Sequence, residues 1–360
     1  PLFLTRIQWY VRREGSMQRN IALVNLDNVV RNAENIRSVI GSAKLCAVVK
    51  CDGYGHGAAA IANALHGVCD SFAVALAQIR AAGVDEDILV LQPALDETEV
   101  LRAAAYNMIL TLADDNDFLL VKKTCEKFGV RVRVHLKANT GMNRLGYEYW
   151  QFLNSCLLVK KQTDISVEGV YSHFYLPESR SETRAQYELF LRFCSVAEGV
   201  FGKLTKHIAA SGGVFADAAY HMDMVRCGIA LYGYLPRGIR SDKRFLPALC
   251  VYTHAAAGRK YEFGGIAYGR ANGRSGDLTT LRIGYGDGFF RAGGIGNINN
   301  LCMDACVVSG AHAKGEPVLV FADADEYARR HNTISYEALC SVTKRAEFVY
   351  VRGLEQKNKE

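Results

Sequence analysis

The sequence predicts an α/β fold, with an N-terminal (β/α)8 TIM-like barrel followed by a smaller, mostly β domain. Three observations predict it. The chain has 360 residues, more than one ordinary small domain needs. Eight short apolar runs rich in β-branched residues alternate with segments of helical periodicity, which is typical of a parallel sheet covered by helices. After Pro247, glycine becomes dense and strands follow one another without helical periods.

The predicted elements follow in chain order. The eight barrel runs are LCAVVK from Leu45, FAVAL from Phe72, ILVLQ from Ile88, MILTL from Met108, VRVHLKA from Val132, VEGVYSH from Val167, KHIAAS from Lys206 and MVRCGIALYG from Met224. The clearest helices are LDNVVRNAENIRSVIG, with Asn25 as N-cap and Gly41 as stop, and RAQYELFLRFCSVAEGV. Four later strands are LCVYTHAAAG, DLTTLRIGYGDG, EPVLVFAD and EFVYVRG.

These elements predict the domain boundaries. We expect an N-terminal extension over 1–19, the barrel over 20–245, the β domain over 246–355 and a tail over 356–360. A barrel of this type needs about 200 to 250 residues, which the second segment supplies.

Composition restricts the class of protein. Hydrophobic residues make up 49% and charged residues 22%, as in a soluble globular protein. The net charge of +6 comes without a long basic run, so it does not indicate a nucleic-acid partner. No apolar stretch approaches the ~20 residues that cross a bilayer. Eleven cysteines without a CxxC pair fit free thiols in the cytoplasm better than disulfides or a metal site.

Chemically active residues stand at the carboxyl ends of the predicted barrel strands, where enzymes of this fold carry their active sites. Lys50 ends the first run, and burial there would free a neutral amine to attack a carbonyl. His173 closes the sixth run and Ser211, with two glycines, the seventh. Arg226 and Gly228 lie in the eighth. Because the last two strand ends of such barrels commonly bind phosphate, this combination points to pyridoxal phosphate.

Each of these residues, taken alone, also has a structural explanation. A lysine at a strand end can extend into solvent, a histidine can be a hydrogen-bonded core residue, and Ser-Gly-Gly can be an ordinary turn. Four such residues at matching strand ends favour a functional site.

The chain resembles the alanine racemase family, pyridoxal-phosphate enzymes of barrel-plus-β-domain type, from about Asn20 to Val351. Eight motifs occur in family order: VVKCDGYGHG, HLKANTGMNRLG, GVYSHF, AASGG, VRCGIALYG, GIAYGRAN, IGYGDGFFR and LCMDA. The resemblance implies conversion of L-alanine to D-alanine, a building block of the cell wall, by a homodimer whose subunits share their active sites.

The resemblance also implies roles for individual residues. Lys50 would hold the cofactor and serve as one base, while Tyr268 of the partner subunit would serve as the other. The cofactor phosphate would be bound by Tyr54, Ser211, Gly228 and Ile229. Arg226 would face the pyridine nitrogen, Arg144 the phenolic oxygen and His173 the ring. Substrate would meet Arg144 and, from the partner subunit, Tyr285 and Met303. Lys137 matches a position that is often carbamylated.

A two-base mechanism fits the chemistry of racemisation, because one base removes a proton from one face of the α-carbon while the other returns one to the opposite face. Lys50 and Tyr268 have free pKa values of ~10, so each needs burial or a neighbouring cation to act near neutrality. An arginine at the ring nitrogen keeps its own proton, so that nitrogen stays unprotonated and transamination is suppressed.

The sequence departs from the commonest family pattern at four positions. Cys227 stands for proline, Asn139 for aspartate and Asn300 for arginine, while Lys344 replaces a tyrosine near the phosphate and the substrate pocket. Lys344 leaves serine open as a substrate, because a serine hydroxyl needs a polar partner. Three alternatives to an alanine racemase stay open. The first is a serine or mixed alanine/serine racemase that forms the cytoplasmic domain of a larger membrane protein. The others are a non-catalytic barrel that binds pyridoxal phosphate and a decarboxylase of the same architecture.

Overall fold

The computed structural model describes residues 20–75, 83–270, 276–292 and 301–353. The predicted extension over 1–19, the tail over 356–360 and Asn300 lie outside these residues. The chain divides into two compact units. The barrel unit contains Val29–Gly53 and Ala58–Leu246, and the β unit contains the described parts of Pro1–Asn28, Tyr54–Gly57 and Pro247–Glu360.

The strands of the described residues have the following bounds, in chain order: β1 (Asn20–Asn25), β2 (Lys44–Val48), β3 (Ser71–Val74), β4 (Asp87–Val90), β5 (Ile109–Leu112), β6 (Val132–Lys137), β7 (Ile165–Tyr171), β8 (Thr205–His207), β9 (Met224–Cys227), β10 (Leu249–Tyr261), β11 (Gly265–Ile266), β12 (Gly269–Arg270), β13 (Gly276–Leu281), β14 (Cys306–Ser309), β15 (Pro317–Phe321) and β16 (Glu347–Val351).

The α-helices of the same residues are α1 (Leu26–Ile40), α2 (Lys50–Gly55), α3 (Ala58–Leu65), α4 (Glu97–Ala105), α5 (Asp115–Phe128), α6 (Tyr149–Lys160), α7 (Arg180–Phe201), α8 (Ser211–Ala216), α9 (Ala324–His331) and α10 (Ser335–Ser341). None of these described helices is both long enough and apolar enough to cross a membrane.

The barrel unit is built on one parallel sheet of eight strands, in the order β8-β7-β6-β5-β4-β3-β2-β9. Between β8 and β9 the barrel closes through a parallel bridge of Ala210 with Arg226, whose amide donates to Ala209 O at 2.9 Å. All residues of β3 and β5 are buried, as expected for strands covered on both faces. Each of the eight predicted runs contains one of the eight barrel strands, but the last run is a strand only over Met224–Cys227 and continues as a 3-10 helix over Ile229–Tyr232.

Helix α1 shows how the sequence sets the limits of an element. The Asn25 side-chain oxygen accepts hydrogen bonds from the amides of Asp27 and Asn28 at 3.0 and 3.2 Å. It satisfies donors that the first helical turn leaves unpaired, which confirms the predicted N-cap. Gly41 follows the helix with φ +61°, a conformation that favours glycine, so the predicted stop is also confirmed.

The β unit contains the sheet β14-β13-β10-β1-β16, with β15 also paired to β10. Strand β1 runs antiparallel to β10 and parallel to β16. Its side chains Ile21 and Leu23 form a core cluster with Tyr252 and Val351.

The structure divides the start of the chain differently from the predicted boundary at residue 20, because β1 belongs to the sheet of the β unit. All six residues of β1 are buried, and each of its edges pairs with a strand from the C-terminal part of the chain. The barrel unit accordingly begins at Val29. A second difference is that the β unit also holds α9 and α10, whose short length hides their helical periodicity.

Candidate active site

Most of the predicted cofactor residues of the barrel unit stand at or just after the carboxyl ends of its strands. Lys50 is half-buried and lies two residues beyond β2. The others lie at the end of β6 (Lys137), after β7 (His173), after β8 (Ser211), within β9 (Arg226) and just after it (Gly228, Ile229). Because all eight strands are parallel, these ends meet at one end of the barrel.

Arg226 is buried and donates to several acceptors at once. One terminal nitrogen donates to His207 Nδ1 at 2.6 Å and to His207 O at 3.0 Å. The other donates to Ser172 O at 2.5 Å and lies 3.4 Å from His173 Nδ1. Burial lowers the pKa of Arg226, although an arginine keeps its proton in proteins. The guanidinium is therefore fixed in orientation by neutral acceptors.

Two histidines extend this network into the barrel. Because Arg226 can only donate, His207 Nδ1 must accept, and the single proton of His207 resides on Nε2. His207 Nε2 lies 2.9 Å from His135 Nδ1, which must accept in turn. Burial, followed by nearby arginines, lowers the pKa of His135 to about 3 and that of His207 well below its ordinary value. Both imidazoles are therefore neutral, each in one tautomer.

The histidine chain is packed against Tyr171. The rings of Tyr171 and His207 stack with centroids 5.0 Å apart and planes 6° apart. The Tyr171 hydroxyl is 2.7 Å from Thr111 Oγ1. Since stacking and a hydrogen bond fix the tyrosine, it holds the His207 ring in the plane that Arg226 requires.

Positive charge accumulates at this end of the barrel. Burial lowers the pKa of Lys137 to about 7, and Arg226, Arg144 and Lys50 add to the shift by charge repulsion. The Lys137 ammonium lies 4.3 Å from the Tyr171 ring centroid. Desolvation, followed by the charges of Arg226, Lys137, Arg144 and Lys50, lowers the pKa of His173 well below its ordinary value. Four cationic side chains thus influence one region, and an anion bound there would relieve their repulsion.

Two of the predicted phosphate residues, Ser211 and Gly228, are joined by a hydrogen bond. Ser211 Oγ accepts from the amides of Gly228 and Ala230 at 3.2 and 3.3 Å. The two glycines after Ser211 also have a packing reason: a Cβ on Gly212 would lie 2.6 Å from Pro177, and one on Gly213 would lie 3.0 Å from Phe174. The Ser211 hydroxyl, which accepts from these two amides, keeps its own hydrogen to donate to a phosphate oxygen.

The loop between β6 and α6 carries the exposed Arg144. The same loop contains Asn139, whose side chain is held by four hydrogen bonds. The Asn139 side-chain oxygen accepts from the amides of Gly141 and Asn143 at 3.2 and 3.1 Å. Its nitrogen donates to Asn143 Oδ1 at 3.0 Å and to Glu148 Oε1 at 2.7 Å. Because a carboxylate could not donate these last two bonds, asparagine suits this loop.

The remaining predicted site residues lie in the β unit. Tyr268 occupies the two-residue tip of the β11–β12 hairpin, after Ala267 with φ +51°, and is 79% exposed. The structure brings Tyr285 and Met303 together, because the Tyr285 amide donates to Cys302 O at 3.1 Å. Tyr54 is buried, with its ring 6.0 Å from that of Tyr336.

The histidines of the network are functional candidates that the sequence reasoning missed. His135 lies two residues before Lys137 in β6, so both side chains project from the same face of the strand. His207 ends β8. The sequence does contain one signal for His135, because it is a polar residue on the same face of β6 as the predicted site residue Lys137.

The fold, the cationic strand ends and the residues described above fit an amino-acid racemase that uses pyridoxal phosphate. Comparison with family models gives the same result. The model of the alanine racemase N-terminal domain matches residues 24–236, and that of the C-terminal domain matches residues 259–350. The chain belongs to the alanine racemase family.

Individual relatives match along nearly the whole chain. An alanine racemase from Beutenbergia cavernae is 32% identical, over 92% of this chain and 98% of the relative. The solved alanine racemase of Clostridium difficile 630 is 26% identical with a TM-score of 0.87, over 94% of this chain and 97% of the other. The alanine racemase from Bartonella henselae, solved with covalently bound pyridoxal phosphate, is 24% identical with a TM-score of 0.79, over 92% and 99% of the two chains, and shares the fold.

Proposed function

We propose that this protein interconverts L-alanine and D-alanine with pyridoxal phosphate bound at the carboxyl end of the barrel. The observation that carries the proposal is that the half-buried Lys50 shares the carboxyl end of the barrel with the cations Arg144 and Arg226, in a chain that matches both domains of the family. Such a region favours a ligand with several negative groups, and pyridoxal phosphate offers a phosphate and a phenolic oxygen.

The residues that would hold the cofactor divide by the group they bind. Lys50 would form the covalent attachment. Ser211, Gly228, Ile229 and Tyr54 would bind the phosphate, and Arg226, Arg144 and His173 would face the ring nitrogen, the phenolic oxygen and the ring itself. The fixed guanidinium of Arg226 supports its assignment, because hydrogen bonds to His207 and Ser172 leave it little freedom to turn.

When bound, pyridoxal phosphate withdraws electrons from the α-carbon of an amino acid, which makes the α-proton removable. The protein then has to move that proton. Lys50 Nζ would serve one face of the α-carbon and the Tyr268 hydroxyl the other, so that one removes a proton while the other returns one. To accept a proton, Lys50 must be in its neutral amine form.

The second base is proposed to come from a second copy of the chain. Tyr268 is largely exposed at a hairpin tip, and Tyr285 and Met303 are also exposed. Exposed large side chains that bear chemistry support a homodimer in which these residues line the partner's substrate entrance and carboxylate pocket.

The lowered pKa of Lys137 supports the carbamylation of its side chain. Its lowered pKa, about 7, makes its neutral amine abundant near neutrality. That amine would add to carbon dioxide, forming a carbamate and releasing a proton, and the resulting carboxylate would hold Arg144 in place.

Serine is a second candidate substrate because of Lys344. This residue is exposed, and its side chain lies against Gly288, where a Cβ would be 3.3 Å from Lys344 Cδ. The Lys344 ammonium has three hydrogen-bond donors, one of which would pair with a serine hydroxyl in the substrate pocket. We propose a cytoplasmic location, supported by eleven free thiols.

The proposal is tested by trapping the cofactor and measuring racemisation. Borohydride reduction of the purified protein should fix pyridoxal phosphate on the peptide that contains Lys50, as detected by mass spectrometry. Lys50→Ala should lose this adduct and the formation of D-alanine, whereas Lys122→Ala, on the outer helix α5, should keep both. Rates with L-alanine and L-serine separate the two substrates. An active Lys50→Ala enzyme would contradict the proposal.

A further inference from the structure

The motif IGYGDG of the β unit contains three alternate glycines, and each lies where a side chain would collide. A Cβ on Gly284 would meet the carbonyls of Cys302 and Met303. A Cβ on Gly286 would meet the guanidinium of Arg345 and lie 2.9 Å from Met303 O. The segment around Tyr285 is therefore packed between the 301–305 turn and Arg345.

Backbone hydrogen bonds join this segment to the turn. The amides of Tyr285 and Gly286 donate to Cys302 O and Met303 O at 3.1 and 2.9 Å. Asp287 Oδ2 accepts from the Gly284 amide at 2.8 Å and closes the segment on itself. Tyr285 and Met303 are consequently presented as a pair, and their side chains remain 40% and 57% exposed.

Arg345, which follows α10, bridges the two segments. Its Nε lies 3.0 Å from Asp287 Oδ1, and one terminal nitrogen lies 3.0 Å from Asp304 Oδ1. Asp287 is buried, with only 2% of its side chain exposed, whereas that of Asp304 is 54% exposed. A planar guanidinium with several donors can hold two carboxylates in a fixed geometry, which the single ammonium of lysine does less well.

We propose that Arg345 is a positioning residue that fixes Tyr285 and Met303 for substrate binding by tying Asp287 to Asp304. The inference rests on the proposed function for the role of Tyr285 and Met303, but the bridge itself stands on the geometry of the β unit. In this role Arg345 would act through the two segments that it joins and not on the reacting atoms. Loosening the bridge should weaken amino-acid binding and leave the cofactor attachment at Lys50 unchanged.

The test compares Arg345→Ala, Arg345→Lys, Asp304→Asn and the double variant Arg345→Ala/Asp304→Asn. We expect KM for alanine to rise about tenfold in Arg345→Ala, equivalent to ~1.4 kcal/mol of binding, with a smaller change in kcat. Arg345→Lys should fall between this variant and wild type. The double variant should be no worse than Arg345→Ala, because both changes break one bridge.

A matched control and a second readout complete the design. Arg330→Ala removes another arginine of the β unit, which pairs with Glu326 at 2.8 Å, and should leave KM unchanged. Borohydride trapping should yield the same Lys50 adduct in every variant. Labelling of Cys302, a half-buried thiol beside Met303, followed by mass spectrometry, should be several-fold faster when the bridge is broken.

The outcomes separate the bridge from the proposed function. Removal of Arg345 leaves the buried Asp287 carboxylate without its cationic partner, and this could prevent folding. In that case Asp304→Asn, which changes an exposed residue, still tests whether the bridge affects KM. Folded variants with unchanged KM and unchanged Cys302 labelling would overturn the inference. A wild-type protein with no racemase activity would overturn the proposed function instead, while the Cys302 labelling rate would still test the bridge.

Discussion

A buried arginine governs the protonation of its neighbours in the barrel unit. Arg226 has no lone pair to offer, so His207 must accept from it, and His135 must accept from His207. Each imidazole is thereby restricted to the neutral form. At low pH this arrangement destabilises the folded state, because neither ring can bind a second proton without losing its hydrogen bond to the next residue.

The pH dependence follows from the lowered pKa of His135. In the unfolded chain this histidine takes up a proton near pH 6.5, but in the folded protein it stays neutral down to about pH 3. Between these values the unfolded state binds more protons, so the free energy of unfolding falls as the pH falls through this window. Its contribution is fully present above pH 6.5.

His135→Gln tests this dependence, because a glutamine oxygen can accept from His207 but does not titrate. Between pH 7.5 and 5.0 the wild type should lose about 2 kcal/mol more unfolding free energy than the variant. Guanidinium unfolding at both pH values measures the difference, with near-ultraviolet circular dichroism as a check on the native fold. Equal losses in the two proteins would show that His135 does not resist protonation.

At the scale of elements, helix α5 is limited by its own sequence at both ends. Asp114 Oδ1 accepts from the amides of Asn116 and Asp117 at 2.8 and 2.9 Å, and Asp117 Oδ2 accepts from the Asp114 amide at 3.2 Å. This reciprocal pair satisfies several donors of the first turn. Gly129 ends the helix with φ +64°. Helix α4 has a simpler cap, since Asp96 accepts from the Glu99 amide alone.

The two caps give a paired prediction for stability. Asp114→Ala should lower the unfolding free energy by about 1 to 2 kcal/mol, and Asp96→Ala by less, because it removes fewer hydrogen bonds. Chemical denaturation measures both. Both residues lie in loops that follow the carboxyl ends of barrel strands, Asp114 after β5 and Asp96 after β4, so kcat and KM are measured beside stability to separate an effect on the site from loss of the cap. A larger loss in Asp96→Ala would contradict the explanation by hydrogen-bond number.

Sequence reasoning succeeded where local pattern and final environment agree. The barrel strands are short β-branched runs that are buried as parallel strands must be, so every run was found. It failed where partners are distant in the chain: the segment NIALVN gives no sign that its neighbours are β10 and β16. Likewise, the roles of His207 and Arg345 depend on contacts with other segments. A carbonyl that faces a glycine, as at Gly284, is also invisible in the sequence.

At the scale of the whole molecule, the proposed sharing of sites between subunits makes activity a property of pairs. Lys50 belongs to the barrel unit and Tyr268 to the β unit. If each site takes these residues from different chains, two inactive variants can complement one another. A chain that carries both residues to its own site would allow no such rescue.

Mixing Lys50→Ala with Tyr268→Phe tests this arrangement. After dissociation and random reassociation, half of the dimers are mixed and each has one intact site, so activity should recover to about one quarter of the wild-type value. D-Alanine formation before and after mixing measures the recovery. Each variant, dissociated and reassociated alone, is the control and should remain inactive. No recovery in a mixture shown to contain hybrid dimers would contradict shared sites.

Strand β1 has a consequence for how the protein must be made. The ribosome makes β1 before the barrel strands, yet both hydrogen-bonding neighbours of β1 are made only after them. Until then both edges of an apolar strand lack their permanent neighbours and could pair with other chains. Nascent protein should therefore depend on chaperones until β16 has been made, and a fragment beginning at Pro247 would have a gap in the middle of its sheet.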